Sequence, residues 1–264
     1  MIIIKSSREI EYIREASRIV VKVLRAVEKL IKPGIKTIEL DEFAYDLIIK
    51  HNAKPAFKGY RGYKYTLCTS VNESIVHELP GEKALKSGDI VSVDVGVIYK
   101  GYYGDGAATF AVGEISELKK RLIEVTYQAL YGAIEKARPG NHLTDISYTI
   151  QKYAEENGFA PIREFCGHGV GVKLHEDPEI LNYGEPGKGP LLRPGMTLAI
   201  EPMISAGKWQ SKILKDKWTA VTIDKSPVAH FEHTILITED GNEILTIDEE
   251  GDVHPYWLES LYSP

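Results

Sequence analysis

Ile90-Val91-Ser92-Val93-Asp94-Val95-Gly96-Val97-Ile98-Tyr99-Lys100-Gly101-Tyr102-Tyr103-Gly104-Asp105-Gly106-Ala107-Ala108-Thr109-Phe110 reads as a β-hairpin. Val91, Val93 and Val95 alternate with Ser92, Asp94 and Gly96, the period of two expected of a strand with one apolar face. Lys100-Gly101 supplies a two-residue turn flanked by Tyr99 and Tyr102. That register sets Asp94 opposite Ala107 and puts Asp105 on the same face, a diagonal neighbour about 7–8 Å away. A bulge near Gly104 or Gly106 would bring the two closer. Two carboxylates on one face of a valine-rich strand pair repel each other and lose hydration, so they need cations between them. A hairpin with that face turned to solvent is the alternative.

Outward from the hairpin, one plan occurs twice. Upstream, Ser6 and Glu9 form a capping box for a helix carrying Ile10, Ile13, Val20, Leu24, Val27 and Ile31, stopped by Pro33-Gly34. A second helix capped by Thr37 buries Leu40, Phe43, Ala44, Leu47 and Ile48. A glycine- and aromatic-rich loop, Ala56 to Tyr65, leads into a strand from Leu67 to Val71. Downstream, a helix capped by Ser116 carries Leu118, Leu122, Val125, Ala129 and Ala133 to Pro139-Gly140, and another runs from Thr144 to Asn157-Gly158. The two Pro-Gly stops are 106 positions apart. Gly88 precedes Asp94 by six residues and Gly195 precedes Glu201 by six, an offset of 107. The repetition predicts an internally duplicated α+β domain with facing halves and a ligand between them. Its pseudo-repeats cover about 6–112 and 116–247, one catalytic domain spans 1–247, and 248–264 is a tail with aromatics at Tyr256 and Trp257.

The second half adds Glu164-Phe165-Cys166-Gly167-His168-Gly169-Val170-Gly171 and then Leu174-His175-Glu176-Asp177-Pro178, a polar glycine-rich segment that does not read as core, in which Gly167-His168-Gly169 reads as a turn. Glu201 leaves the apolar side of a strand containing Leu198 and Ile200. Trp218 to Thr222 reads as a short strand. A last strand, Ala229 to Thr238, shows His230, Glu232 and Thr234 on one face before the turn Asp240-Gly241-Asn242.

Composition sets the outer bounds. With 264 residues and 43% hydrophobic content the chain can bury one large core or two small ones. A net charge of −6 argues against an intrinsic nucleic-acid or anionic-membrane surface. Met1-Ile2-Ile3-Ile4-Lys5 is too short for a signal-peptide core, and no apolar run spans a bilayer, so a cytoplasmic location is expected. Cys68 and Cys166 match neither a disulfide framework nor a thiolate zinc spacing and read as reduced thiols.

Asp94, Asp105, His168, Glu201 and Glu232 therefore form the candidate cluster. Singly, each is as readily a solvated or ion-paired carboxylate, or a satisfied histidine. Together, four carboxylates and an imidazole suit two divalent ions, manganese, iron, cobalt or zinc. Two ions about 3.5–4 Å apart can share a water and lower its pKa from 15.7 to about 7, giving hydroxide for hydrolysis.

The strings Ser70-Val71-Asn72-Glu73, Gly88 to Asp94, Gly104-Asp105, Gly167 to Gly171 with His175-Glu176, Gly195 to Met203 and Phe231-Glu232-His233-Thr234 closely resemble the type I methionine aminopeptidases. The resemblance covers roughly Met1 to Asp248. It implies the pita-bread fold, an antiparallel sheet backed by helices, and a hydrolase that removes initiator methionine when the next residue is small. By the resemblance Asp94 holds one metal, Asp105 and Glu232 bridge, and His168 with Glu201 holds the other, Glu201 also shuttling the proton. His77 would contact the scissile amide or its nitrogen, and His175 would donate to the carbonyl oxygen as charge develops. The methionine pocket maps onto Tyr60, Tyr63, Cys68 and Trp218, with Phe57 and Leu174 at neighbouring wall positions; Phe57 stands where some relatives have Cys, and Leu174 where some have Phe. The implied partner is a nascent polypeptide beginning with Met, met by a monomer in transient association with the ribosome. A proline-directed peptidase of the same fold, or a peptide- or ribosome-binding scaffold with a dead site, are the competing readings. The former typically carries an additional N-terminal domain, and the latter should have lost ligands.

Overall fold

A computed structural model of the chain describes residues 1–254. In chain order the elements begin with helices α1 (Ser7–Glu28) and α2 (Thr37–Lys50) and strands β1 (Lys54–Pro55), β2 (Leu67–Val71), β3 (Ser74–Val76), β4 (Ile90–Tyr99) and β5 (Tyr102–Ala111). A second helix pair follows, α3 (Glu117–Lys136) and α4 (Leu143–Glu156). The chain then forms β6 (Ala160–Pro161), β7 (Cys166–Gly169), β8 (Glu176–Leu181), β9 (Thr197–Ile200) and β10 (Met203–Ser205). It continues through β11 (Ser211–Ile213), β12 (Ala220–Thr222), β13 (Val228–His230), β14 (Glu232–Ile237) and β15 (Asn242–Ile244).

The quoted hairpin is β4 and β5, with Asp94 opposite Ala107 and Asp105 opposite Gly96, as its alternation requires. Lys100 and Gly101 both take positive φ, 48° and 87°, the turn whose twist matches that of the flanking strands. The hairpin nucleates one antiparallel sheet in the order β1-β4-β5-β14-β9-β7-β8, with β2 also on β4 and β15 also on β14. Two small sheets, β13-β10-β6 and β11-β12-β3, complete the α+β architecture. The valine face of β4 packs in the main core with α1 and the second helix pair. Its polar face is also covered: Ser92 and Thr109 share a hydrogen bond of 2.8 Å, and the Thr109 hydroxyl donates to the His230 carbonyl and accepts from the His230 amide. That excludes the solvent-facing hairpin.

Several local expectations shift. The Ser6 amide and hydroxyl both bond the Glu9 carboxylate, but α1 stops at Glu28, short of Ile31, in turn bonds from the Leu30 and Ile31 amides. Thr37 is the first residue of α2 rather than its cap, because its hydroxyl is tied to Gly81 while the Glu39 carboxylate takes the Lys36 amide. Phe43 and Leu118 are exposed, at 38% and 52%, each at the edge of its helix's apolar stripe. Helix α4 starts at Leu143, the Thr144 hydroxyl bonding the Lys188 carbonyl instead of capping. Trp218 lies outside β12, its amide and that of Thr219 taken by Asp216. The expected strand from Ala229 to Thr238 breaks at Phe231 into β13 and β14, which belong to different sheets. Of the tail, Asp248 to His254 is described; Tyr256 and Trp257 lie outside the described residues. Among the described residues, no helix is long and apolar enough to cross a membrane.

The sheet comes so close to α1 at Gly104 that a Cβ there would sit 2.5 Å from the Ser17 backbone nitrogen and 2.8 Å from the Ala16 carbonyl carbon. Neither atom can give way without moving the helix. Gly104→Ala is expected to destabilise the protein by about 1–3 kcal/mol or more, read as a lowered urea midpoint; an unchanged midpoint would show that β5 and α1 are not held at this distance.

Candidate metal centre and the adjoining pocket

Five neighbouring strands, β4-β5-β14-β9-β7, deliver the five candidate donors in spatial order. Asp94, Ala107 and Glu232 form one row across β4, β5 and β14, and Asp105 is two residues from Ala107. Thr234, Ala199 and His168 form a second row across β14, β9 and β7, with Glu201 two residues beyond Ala199. Because side chains alternate, all five emerge on one face. Two positions differ from their sequence reading. His168 lies inside β7 rather than in a turn, and Glu201 stands just beyond β9, where Pro202 lacks the amide to continue the ladder.

That face lines a cavity of about 250 Å³. His168 Nε2 is 3.4 Å from Glu201 Oε1 and 3.9 Å from Asp105 Oδ2. Donor atoms of Asp105, His168 and Glu232 all lie within 4.8 Å of one another, as do those of Glu201, His230 and Glu232. Glu232 is shared by both groups. Asp94 belongs to neither, but it lines the same cavity and its buried Oδ1 has no hydrogen-bond partner; Glu232 Oε1 and His230 Nε2 are likewise unpartnered. His230 is the donor that sequence reading passed over. Its signal was present, since alternation places it on the face of Glu232, and two backbone bonds to Thr109 hold it there.

The electrostatics are those of a site built for cations. Burial, opposed by His230 and reinforced by Glu201, pushes Asp94 up to about 7. Asp105 and Glu232 are raised well above the carboxylate range by burial and by neighbouring carboxylates, and Glu201 by burial. His168 is pushed down to about 3 by burial and the nearby His175, so it is neutral at pH 7. Its Nδ1 lies 2.9 Å from the Gly169 carbonyl, which leaves Nε2 facing the carboxylates as a free lone pair. Buried oxygens without partners, together with a neutral imidazole, fit a divalent cation and are costly without one. The Thr234 hydroxyl donates to the Asp105 carbonyl and accepts its amide, joining β14 to β5 beside the cluster.

The two flanking histidines sit at the cavity wall. His175 Nδ1 is 2.8 Å from Tyr60 Oη, and its ring centre is 4.3 Å from that of His168. Its loop is pinned by Glu176, whose carboxylate accepts the Val172 and Lys173 amides and pairs at 2.6 Å with Lys5, both side chains 2% exposed. His77 follows β3 at φ 62°, edge-on to Phe165 and Trp218. Burial pushes it down to about 4, so it too is neutral. Phe57, Tyr63, Cys68 and Leu174 pack together, with Tyr60 and Trp218 against them, so every residue assigned to the pocket from sequence lies at one wall. Gly96 makes room for it, as a Cβ there would stand 2.6 Å from the Phe57 ring. Arg61, Val76, Glu164, Phe165 and Cys166 also line the cavity and had no distinguishing sequence pattern.

Residues 11–239 match metallopeptidase family M24. Methionine aminopeptidase 1 of Bacillus subtilis is 53% identical over 246 residues, 93% of this chain and 99% of the relative. The crystal structure of methionine aminopeptidase from Thermotoga maritima superposes with a TM-score of 0.93 at 53% identity, covering 94% of this chain and all of that one. Prolidase from Pyrococcus furiosus has a TM-score of 0.75 at 29% identity, with 94% of this chain covering 66% of that one.

A raised carboxylate is stabilising while protonated, and that stability is lost as pH rises from the unfolded value toward the folded one. For Asp94 the window runs from 3.8 to about 7. In chelator-treated protein, Asp94→Asn should therefore gain stability relative to the parent as pH rises from 4.5 to 7.5, followed by urea midpoints. A difference that stays constant with pH would mean that Asp94 is not desolvated.

Proposed function

The chain belongs to metallopeptidase family M24, among its type I methionine aminopeptidases with their pita-bread fold, and we propose that it removes initiator methionine from nascent polypeptides whose second residue is small. The observation that carries this reading is the convergence of five donors, four on strands β4, β5, β14 and β7 and Glu201 just past β9, on one face of the sheet that lines an acidic cavity walled by aromatics. Two divalent cations, cobalt, manganese, iron or zinc, would be held there: one by Asp94, the other by His168 and Glu201, with Asp105 and Glu232 between them. When bound, they supply Lewis acidity and lower the pKa of water toward neutrality.

The chain's own groups do the rest. Glu201 lies 3.4 Å from His168 and 3.5 Å from His230, and it accepts the proton of the attacking water and returns it to the leaving amine. His175 holds Nδ1 2.8 Å from the Tyr60 hydroxyl, and in the tautomer that carries its proton on Nε2 it donates to the carbonyl oxygen as negative charge builds. Neutral His77, edge-on to Trp218 and Phe165, meets the scissile amide. Phe57, Tyr60, Tyr63, Cys68, Leu174 and Trp218 enclose the methionine side chain, and each sulfur–ring contact contributes about 0.3–1.5 kcal/mol. In this reading the enzyme meets its substrate in the cytoplasm in transient contact with the ribosome, and the family likeness supports a monomer.

The prolidase likeness makes proline-directed cleavage the second reading, although this chain covers only 66% of that protein. Hydrolysis separates the two. After chelation and reloading with manganese, iron or cobalt, Met-Ala-Ser should be cleaved and Ala-Pro should not. The reverse pattern would establish the proline-directed reading, and inactivity on both would favour a binding scaffold. Asp94→Asn and Glu232→Gln should each abolish turnover while the protein stays folded; substantial turnover in either would overturn the ligand assignment.

A further inference from the structure

Behind the donor face lies a second buried polar cluster that the proposed chemistry does not use. His233 follows Glu232 and so leaves β14 on the opposite side. At His233, β14 is paired on both flanks, with Gly106 next to Asp105 and with Ile200 next to Glu201. Its Nδ1 is 2.8 Å from the Thr246 hydroxyl, which also accepts the Thr234 amide at 3.1 Å. Its Nε2 is 3.3 Å from Asp252 Oδ2, the two side chains 5% and 9% exposed. The Tyr131 hydroxyl of α3 donates to the same carboxylate oxygen at 2.8 Å. The segment that carries Asp252 is fastened to α1 as well, where Arg25 bonds Asp248 at 2.8 Å and the Gly251 carbonyl at 3.1 Å, and Val253 is buried in the main core.

A buried carboxylate is costly unless paired, and this one is paired to the residue adjoining the side chain shared by both donor groups. We propose that Asp252, acting through His233, is a positioning residue for the metal centre: the segment Asp248–His254 locks the back of β14 and so holds Glu232 where both groups need it. The inference rests on the metal-centre reading. Groups that orient metal ligands from behind commonly change metal affinity 10–100-fold when removed.

The test is calorimetric titration of chelator-treated protein with Mn²⁺, alongside thermal unfolding without metal and kcat and KM on Met-Ala-Ser. Asp252→Asn and His233→Gln should each weaken Mn²⁺ binding by about 10-fold or more, and the double variant should be little worse than either. Their kcat should fall while KM stays within about twofold, since the methionine pocket is untouched. Tyr131→Phe, a milder change at the same carboxylate, should lie between parent and Asp252→Asn. Val253→Ala, a packing loss in the same segment, should lower the melting temperature without moving Mn²⁺ affinity. Parent-like Mn²⁺ binding by Asp252→Asn, or an equal loss in Val253→Ala, would reduce the segment to a structural strap and overturn the proposal. A parent that binds no Mn²⁺ would instead overturn the metal-centre reading, and the proposal with it.

Discussion

Asp94, Asp105, Glu201 and Glu232 are crowded into a cavity where burial raises all four, and for Asp105 and Glu232 the neighbouring carboxylates add to it. No donor of the protein offsets these charges at Asp94 Oδ1 or Glu232 Oε1, which have no hydrogen-bond partner among the side chains and backbone around them. Left alone, the group relaxes by taking up protons; supplied with cations, it becomes a rigid set of anionic ligands. The surroundings can be understood as the apparatus that keeps mutually repelling groups together.

That apparatus is mostly backbone. An antiparallel sheet presents one side chain per strand in each row, so four strands in register place Asp94, Asp105, Glu232 and His168 on one face, and Glu201 joins them from the residue that follows β9. On the other face α1 comes so close at Gly104 that no side chain fits at that position, while Gly96 admits the Phe57 ring on the pocket side. Neutral histidines at positions 77 and 168 complete the arrangement, because a second set of cations in the same walls would compete with the metals for the carboxylates.

Local pattern was legible where it depends on chain neighbours. The turn at Lys100-Gly101, the pairing of Asp94 with Ala107 and the Ser6-Glu9 cap are short-range, and the structure has each of them. Pattern failed where a distant partner competes for the same group. Thr37 looks like a helix cap, but Gly81 takes its hydroxyl, and Thr144, expected to begin a helix, lies one residue inside it with its hydroxyl on the Lys188 carbonyl. The run from Ala229 to Thr238 alternates without interruption, yet it divides at Phe231 because its two parts find partners in different sheets. His230 was visible only by parity: alternation puts it on the face of Glu232, but what brings it to Glu201 is the packing of β13 on the hairpin, where its amide bonds the Thr109 hydroxyl.

From the chain alone came five donors, His230 not among them, and for Asp94, Asp105, Glu201 and Glu232 the parity that sends each out of an apolar strand face, since alternation is a property of successive residues. The strong family likeness of its motifs came with them. Tertiary structure alone decided that the hairpin carrying residues 94 and 105 lies beside the strands near 232, 200 and 168, and that the face they share lines one cavity. Strand order is settled by pairing between segments far apart in sequence, and the protonation of each group by what then covers it. Neither is written in any one stretch of the chain.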